Sequence, residues 1–433
     1  MTKNCVYCSG PFYSPEETES MAELAAMLEG NGYQTFLPHR DGIEAYFLKA
    51  KDAQGFNQET ELLTEEAIFA LDVYQIIERC GSLVFNMNGR VPDEGSVFKT
   101  ALAFATGKPL LIYKNDNRST FHGNDNSMIT GLSYTFSTIS NLKEIPKELE
   151  EVAKKVASEG ENPYAGENIP PSVRTVIDLG RKIWGFVEDT LVSHAKEEEY
   201  STLIRKLAAM CKASFPAKQL DVADLDVTKK KVYCSGPLFC PEEMGVMSKI
   251  ARIVEESGYE TYLPHRDGVE AFVMNAVDSP IANAYIFKPF NIIVNKAVFA
   301  FDIYQIVDKC DTFVFNMNGR VPDEGGVVET AVAFAAGKPI VIYKNDQRTA
   351  FNGKDCPVVI GTTFTFSTVD TIERIPKELE NAAKKIASQG ESSYRNNIPP
   401  LVLKTVGFGY WVQKMLNLIQ PLKPKNVLLE RKA

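Results

Sequence analysis

The chain has 433 residues, of which 44% are apolar and 24% charged, as expected of a folded protein with two or three ordinary domains. Its net charge of -9 leaves no basic excess to neutralise phosphates, which argues against a nucleic-acid-binding protein. No apolar run reaches 18 residues and the first ten residues do not resemble a signal peptide, so we expect no membrane span and a cytoplasmic location.

Several short segments occur twice in the sequence, in the same order. The repeated segments are VYCSGP at Val6 and Val232, LPHRDG at Leu37 and Leu263, VFNMNGRVPDEG at Val84 and Val314, and IPKELE at Ile145 and Ile375. The offset is 226 residues early and 230 later, so a whole domain is duplicated. We place the first domain at 1–215, a linker without apolar periodicity at 216–230, and the second domain at 231–425.

The second copy is predicted to alternate strands with helices. In chain order these are strand 230–236, helix 241–258, strand 259–264, helix 295–310, strand 311–317, helix 325–337, strand 338–345 and terminal helices 375–390 and 398–419. Strands that are continuous apolar runs indicate a parallel sheet covered on both faces. The pattern predicts an α/β fold of two tandem Rossmann-like or flavodoxin-like domains, each followed by C-terminal helices.

Few residue types suggest a metal or cofactor. The chain has four histidines, and two of them lie in the matching LPHRDG turns, so a histidine-based metal site is not expected. The eight cysteines are expected to be reduced, buried thiols. We therefore expect no metal and no organic cofactor.

Glu329 is predicted to lie early in a helix whose other residues are almost all apolar or small. A helix that is apolar all round is buried, so a carboxylate on it needs a compensating reason. One interpretation is that Glu329 complements the helix dipole, which is worth under about 1 kcal/mol. The first copy has Lys99 at this position, and a lysine would oppose the same dipole. The other interpretation is a nucleophile that the helix N-terminus keeps ionised and that points into a cleft.

Other residues near the predicted carboxyl edge of the sheet have both a structural and a functional interpretation. Asp302 is either an ordinary exposed helix position or a site carboxylate, and Asp323 is a helix N-cap that can also bind a ligand. Tyr233 is either a strand aromatic or a site residue. Gly236 is either a simple turn glycine or a place where a ligand approaches the backbone closely. Ligands of parallel sheets bind at this edge, which favours the functional interpretation for the group.

Together these residues resemble the nucleoside 2-deoxyribosyltransferases. The resemblance rests on YCSGP after the first strand, the mid-helix Asp302, and the pattern D-E-G-x-x-x-E-x-A-x-A-x-A-x-G-K-P from Asp323. Either copy matches over its first 130 or so residues. The sequence departs from the family pattern at Ala331, where a second glycine usually follows the nucleophile.

The resemblance implies transfer of 2-deoxyribose from one nucleobase to another, with a part in nucleotide salvage. It implies that Glu329 attacks C1′ of the sugar as in a retaining glycosidase. It further implies that Asp302 contacts the base and helps to protonate it, that Asp323 binds sugar hydroxyls and that Tyr233 lies against the nucleophile. Ser235 and Gly236 are expected to contact substrate.

The family builds each site across a subunit interface, with an Asn-x-Met segment supplied by the neighbour. The two copies differ here: the first has Asn126 and Met128, where the second has Cys356 and Val358. The first copy has lost the nucleophile to Lys99 but keeps the segment. The second copy keeps the nucleophile but lacks the segment.

We therefore expect an intramolecular pseudo-dimer with one working site, in which Asn126 and Met128 join the second-copy residues. The mirror site, with Tyr7, Asp72, Asp93 and Lys99, is expected to be inactive, with the Lys99 ammonium neutralising both aspartates. The partners implied are a 2′-deoxynucleoside and a free nucleobase, without nucleic acid or membrane. Further assembly of pseudo-dimers into a homo-oligomer is left open.

Two alternatives to transfer remain open from the sequence. One is an N-glycoside hydrolase acting on 2′-deoxynucleoside 5′-monophosphates, for which Ser235 beside Gly236 could donate to the phosphate. The other is a non-catalytic nucleoside sensor, although the second copy keeps every carboxylate.

Overall fold

The computed structural model describes residues 5–45, 58–89, 93–118, 125–191, 206, 209–211, 230–271, 288–319, 323–349 and 355–419. Within them the chain forms two four-stranded sheets, each entirely parallel and flanked by helices. This confirms the predicted α/β fold with two parallel-sheet halves. None of the helices in these ranges is both long and apolar enough to cross a membrane.

The described elements of the first half are strands that alternate with helices. They are β1 (Cys5–Ser9), α1 (Pro15–Gly30), β2 (Gln34–Phe36), α2 (Pro38–Asp41), α3 (Gln58–Tyr74), a π-helical turn (Gln75–Arg79), β3 (Ser82–Asn86), α4 (Glu94–Ala105), β4 (Leu110–Tyr113), α5 (Ser127–Gly131), α6 (Ile145–Ser158) and α7 (Pro171–Leu191).

The second half repeats this order. Its elements are β5 (Lys231–Ser235), α8 (Pro241–Glu256), β6 (Glu260–Tyr262), α9 (Pro264–Asp267), α10 (Lys288–Tyr304), a π-helical turn (Gln305–Lys309), β7 (Thr312–Asn316), α11 (Glu324–Ala335), β8 (Ile340–Tyr343), α12 (Pro357–Ile360), α13 (Ile375–Gln389) and α14 (Pro400–Ile419).

The strand order places the ligand crevice of each half. The orders are β2-β1-β3-β4 and β6-β5-β7-β8, which is the flavodoxin-like arrangement. In such a sheet the connections leave in opposite directions from the two central strands, and ligands bind beyond the carboxyl ends of these strands. In the second half this crevice lies between β5 and β7, as the loops after the two predicted strands suggest.

Most predicted elements of the second half agree with the structure to within two residues. The largest difference is at α10, which begins at Lys288 rather than at 295 and widens into a π-helical turn before β7. Nothing in a period of 3.6 residues signals such a turn, because it inserts one residue into an otherwise regular helix. The predicted linker 216–230 lies outside the described residues except for Lys230, and the domain boundaries stay predictions.

The terminal helices pack on their own halves, α7 on α3 and α14 on α10. A glycine allows each pair of backbones to approach. A Cβ on Gly180 would lie 2.6 Å from Tyr74 Cβ, and one on Gly409 would lie 2.5 Å from Tyr304 Cβ. These helices therefore enlarge the core of each half.

The two halves share one hydrophobic core, in which α4 and α11 pack against each other. Both helices are buried along their whole length. Reciprocal hydrogen bonds accompany the packing, since Tyr164 Oη donates to Ala335 O at 3.0 Å and Tyr394 Oη donates to Ala105 O at 2.7 Å. These two hydrogen bonds between the halves are thus matched in opposite directions.

Glycines at matching places lie against aromatic rings of the opposite half. Gly131 faces Phe299, and Gly361 faces Phe69. A Cβ on Gly361 would be 2.6 Å from Phe69 Cγ, and this ring is fully buried, so it has little room to move. The junction therefore tolerates no side chain at Gly361.

We expect Gly361→Ala to lower the free energy of unfolding by roughly 1–3 kcal/mol, because the added methyl overpacks the junction. Gly245→Ala is the matched control, since Gly245 lies exposed within α8 with nothing near its missing Cβ. The free energy of unfolding of that control should rise by about 0.5–1 kcal/mol, because alanine has a higher helix propensity than glycine. Thermal melting of both variants checks the opposite signs, and a stabilised Gly361→Ala would contradict the packing.

Candidate active site

Glu329 lies at the centre of a buried polar cluster at the carboxyl end of β5. Tyr233 and Ser235 are two residues apart on this strand, so their side chains point to the same face. Tyr233 Oη donates to Glu329 Oε1 at 2.7 Å, and Ser235 Oγ donates to Glu329 Oε2 at 2.5 Å. Both carboxylate oxygens are thereby oriented, as a nucleophile requires.

The charge of Glu329 depends on these hydroxyls rather than on the helix dipole. Glu329 is the sixth residue of α11, beyond the first turn where a helix N-terminus acts strongly. Burial raises its pKa to about 8, while the hydrogen bonds from Ser235 and Tyr233 lower it. The prediction that the helix N-terminus keeps Glu329 ionised is therefore wrong, because the carboxylate lies too deep in the helix and in the core.

Asp302 is the second carboxyl group of this site. It lies on the last turn of α10 and is 2% exposed, so the interpretation as an ordinary exposed helix position is wrong. Tyr262 Oη donates to its Oδ1 at 3.3 Å. Burial, followed by the charges of Glu270 and Glu329, raises the pKa of Asp302 well above its ordinary range. A carboxyl group in this state can give a proton.

Asp323 is the N-cap of α11, one of its two predicted roles, and its Oδ2 accepts from Gly326 N at 2.9 Å. Burial, with the neighbouring Glu324, raises its pKa to about 6. The side chain is half-buried, and one of its oxygens has capacity for further donors. Binding of a ligand by Asp323, its other predicted role, stays a prediction.

The glycines of the site are required by packing. A Cβ on Gly236, where φ is 155°, would lie 2.7 Å from Asn316 Cβ and 2.8 Å from Met247 Sδ. A Cβ on Gly326 would collide with the ring of Phe315 and lie 3.0 Å from Ser235 Oγ. Close backbone packing accounts for Gly236 without a ligand, and its contact with substrate stays a prediction.

The first half reaches the start of α11. Asn126 is the N-cap of α5, and its Nδ2 donates to Glu324 Oε2 across the junction at 3.4 Å. Met128 Cγ lies 3.4 Å from where a Cβ on Gly325 would be. Both side chains are at least 95% buried. The residues that Asn126 and Met128 contact, Glu324 and Gly325, are the first and second residues after Asp323.

The mirror site in the first half is closed by an internal ion pair. Lys99 Nζ lies 3.0 Å from Asp72 Oδ2, and both side chains are buried. Tyr7, the counterpart of Tyr233, donates to Asp72 Oδ1 instead, because an ammonium cannot accept its hydrogen bond. Burial lowers the pKa of Lys99, but Asp72 and Glu44 outweigh this and raise it above its usual range.

Asp93 accepts hydrogen bonds from hydroxyls, and its charge, after those of Asp72 and Glu44, also raises the pKa of Lys99, so neutralisation of both aspartates by the ammonium stays a prediction. Tyr13 Oη donates to Asp93 Oδ1 at 2.7 Å, and Ser96 Oγ donates to Oδ2 at 2.7 Å. The second half has Phe239 and Gly326 at these two places, and neither has a hydroxyl. Among the described residues, two hydroxyls therefore donate to Asp93, and the second half has no hydroxyl at these two places to donate to Asp323.

The segment after β8 contacts the start of α4, as the segment after β4 contacts the start of α11, but its side chains are Cys356 and Val358. A Cβ on Gly95 would lie 3.4 Å from Cys356 Sγ and 3.5 Å from Val358 Cγ2. Glu94 Oε1, beside this segment, is buried without a hydrogen-bond partner among the residues that the structure describes. Glu324 accepts a hydrogen bond from Asn126. At the mirror position Glu94 faces Cys356 in place of an asparagine, and a thiol is a poor donor.

The sequence analysis does not single out three residues of this region: Tyr262, Glu270 and Glu324. Glu270 ends the segment LPHRDG-x-E, which recurs with Glu44 in the first copy, so the repeat itself was a usable signal. Tyr262 is the last residue of a three-residue strand, and only the sheet order brings it to Asp302.

Within the described ranges, no three His, Cys, Asp or Glu residues are placed so that they could hold a metal ion. All eight cysteines are free thiols, and all but Cys240 are buried.

We expect Lys99→Met to lower the free energy of unfolding by about 3–5 kcal/mol, because it leaves Asp72 buried without its counter-charge. The double variant Lys99→Met/Asp72→Asn should recover most of that loss, since no charge is then stranded. Denaturant titration of both variants checks this. A single variant as stable as the parent would show that the ion pair is not what neutralises the mirror site.

Comparison with known proteins identifies the family of both halves. The family model described as nucleoside 2-deoxyribosyltransferase matches residues 6–142 and again 232–381, which together make up more than half of the chain. A search of curated proteins finds no significant match. The chain therefore belongs to the nucleoside 2-deoxyribosyltransferase family and carries the family domain twice.

Proposed function

We propose that the second half transfers 2-deoxyribose between nucleobases with retention of configuration at C1′. The observation that carries this proposal is the pair of hydroxyls, Tyr233 and Ser235, that orient both oxygens of the buried Glu329. A carboxylate placed in this way at a sheet edge suits attack on a sugar carbon. The first half has a lysine at the same position and cannot form the ester.

In the first step a Glu329 oxygen attacks C1′, and the C1′–N bond to the base breaks. The bonding electrons go to the base, which takes a proton from Asp302. The transition state carries positive charge at C1′, which favours the ionised form of Glu329 despite its raised pKa. Asp323 accepts hydrogen bonds from the sugar hydroxyls.

In the second step a nitrogen of the incoming base attacks C1′ from the face that the first base left. The bond from C1′ to Glu329 breaks, and Glu329 leaves as a carboxylate. The proton that the incoming base loses returns to Asp302, so the enzyme ends as it began. Two inversions give net retention.

The site is composite in this proposal, with Asn126 and Met128 of the first half beside the second-half carboxylates. The support is the Asn126–Glu324 hydrogen bond and the packing of Met128 on Gly325. By donating to Glu324, Asn126 holds the turn that carries Asp323. The halves then act as an intramolecular pseudo-dimer with one working site.

The nucleotide hydrolase is less well supported than the transferase. Its phosphate would need Ser235 as a donor, but Ser235 Oγ already donates to Glu329. The same hydrogen bond favours an orienting role for Ser235 over direct substrate binding. A sensor would not need two hydroxyls on one buried carboxylate.

Incubation with a 2′-deoxynucleoside and a second free base should yield the exchanged nucleoside, and Glu329→Gln should lower the exchange rate by roughly 10³-fold or more. Intact mass spectrometry of the quenched parent should show one deoxyribosyl group attached, and the variant should show none. The control is Lys99→Met/Asp72→Asn, which changes only the mirror site and should exchange at the parent rate.

The products separate the alternatives. Free base and free sugar without exchange would support the hydrolase. Binding of nucleoside without turnover, unchanged in Glu329→Gln, would support the sensor.

A second prediction concerns the contribution of the first half. Asn126→Cys gives the first half the residue that the second has at this position, and it should lower the exchange rate by about tenfold, because Glu324 loses a buried donor. Cys356→Asn makes the reverse change at the mirror site and should leave exchange unchanged. Steady-state exchange rates of the two variants check this, provided that thermal melting shows both variants to be equally stable. Equal losses in both would contradict a single composite site.

A further inference from the structure

A third carboxyl group, Glu270, lies beside Asp302 in a pocket of three side chains around Gly268. A Cβ on Gly268 would lie 2.5 Å from Glu270 Oε2 and 2.7 Å from Tyr262 Oη, and Tyr262 Oη donates to Asp302 Oδ1 at 3.3 Å. Tyr262 Oη therefore lies near both carboxyl groups, and each of these groups acts on the pKa of the other. Glu270 Oε2 is buried without a hydrogen-bond partner among the described residues.

The corresponding group in the first half is neutralised differently. Glu44 and Asp72 lie in the field of the Lys99 ammonium, and Phe36 stands in place of Tyr262. Among the residues that the structure describes, the groups that act most strongly on Asp302 are Glu270, Glu329 and the Tyr233 hydroxyl, and those that act on Glu270 are Asp302 and its own backbone N–H. Glu270 is also half-buried, whereas Glu44 is buried.

Two neighbouring carboxyl groups with no counter-charge among the described residues hold one proton between them, because ionising both would place two like charges side by side. Such a pair presents one O–H donor and one carboxylate acceptor side by side. Asp302 must be the donor if it protonates the leaving base. Glu270 is then the acceptor of the pair.

On the basis of the proposed transferase, we infer that Glu270 determines which nucleobases the site takes, by accepting a hydrogen bond next to the atom that Asp302 protonates. The bases that fit offer an acceptor and a donor at adjacent positions. Adenine does so with N7 and its 6-amino group, and thymine with O2 and N3–H. When Asp302 protonates N7 of a purine or O2 of a pyrimidine, hypoxanthine and guanine present O6 and cytosine presents N3 at the neighbouring position, so each places a lone pair against Glu270.

A competition between bases tests the inference. Thymidine is the donor, adenine and hypoxanthine are supplied at equal concentration, and the ratio of deoxyadenosine to deoxyinosine formed is measured. The parent should favour adenine by about tenfold or more. Glu270→Gln should reduce this ratio by about tenfold, because an amide can turn its N–H to O6 of hypoxanthine. The matched control Glu44→Gln should keep the parent ratio.

The results that would overturn this inference differ from the result that would overturn the proposed transferase function. A parent that exchanges no base overturns the proposed function, and with it this inference. A parent that exchanges but prefers hypoxanthine, or an active Glu270→Gln with the parent ratio, overturns the inference alone. If Glu270→Gln is inactive, calorimetric binding of adenine and of hypoxanthine to the folded variant gives the same ratio without turnover, and an unchanged ratio again overturns it.

Discussion

The packing of α4 on α11 is the contact on which the other features of this protein depend. These two helices are apolar on nearly every side, and each is buried because the other half covers it. Since α11 carries Glu329 and begins beside Asp323, burying it against the first half brings that half's side chains to the site. The helix that carries Glu329 is therefore also the helix at the junction of the two halves.

This constraint explains how the two copies could diverge without losing the fold. A buried polar group needs a partner whether or not it performs chemistry. The first half meets this need from within, by the ion pair of Lys99 with Asp72 and by Tyr13 and Ser96 on Asp93. In the second half Tyr233 and Ser235 donate to Glu329, Tyr262 donates to Asp302, and Asp323 accepts from the backbone N–H of Gly326.

The sequence predicted the outline of the site but not its inner contacts. Strand and helix positions followed from apolar periodicity and from Gly and Pro punctuation, and the loops after two strands were expected to meet at one edge. Tyr262 and Glu270 were missed because their importance lies in a neighbour, Asp302, that is distant along the chain. The charge state of Glu329 was attributed to the helix N-terminus because depth in a helix and in a core cannot be read from spacing alone.

By itself the sequence determined the duplication, the alternation of strands and helices, the set of carboxylates and the loss of one of them to Lys99. These are properties of residue types and of their periods, and both are written along the chain. Only the tertiary structure decided that Tyr233 donates to Glu329 while Tyr7 donates to Asp72, and that Asn126 reaches Glu324. The reason is physical: a hydrogen bond forms or fails within a few tenths of an ångström, and that distance is set by packing across two halves.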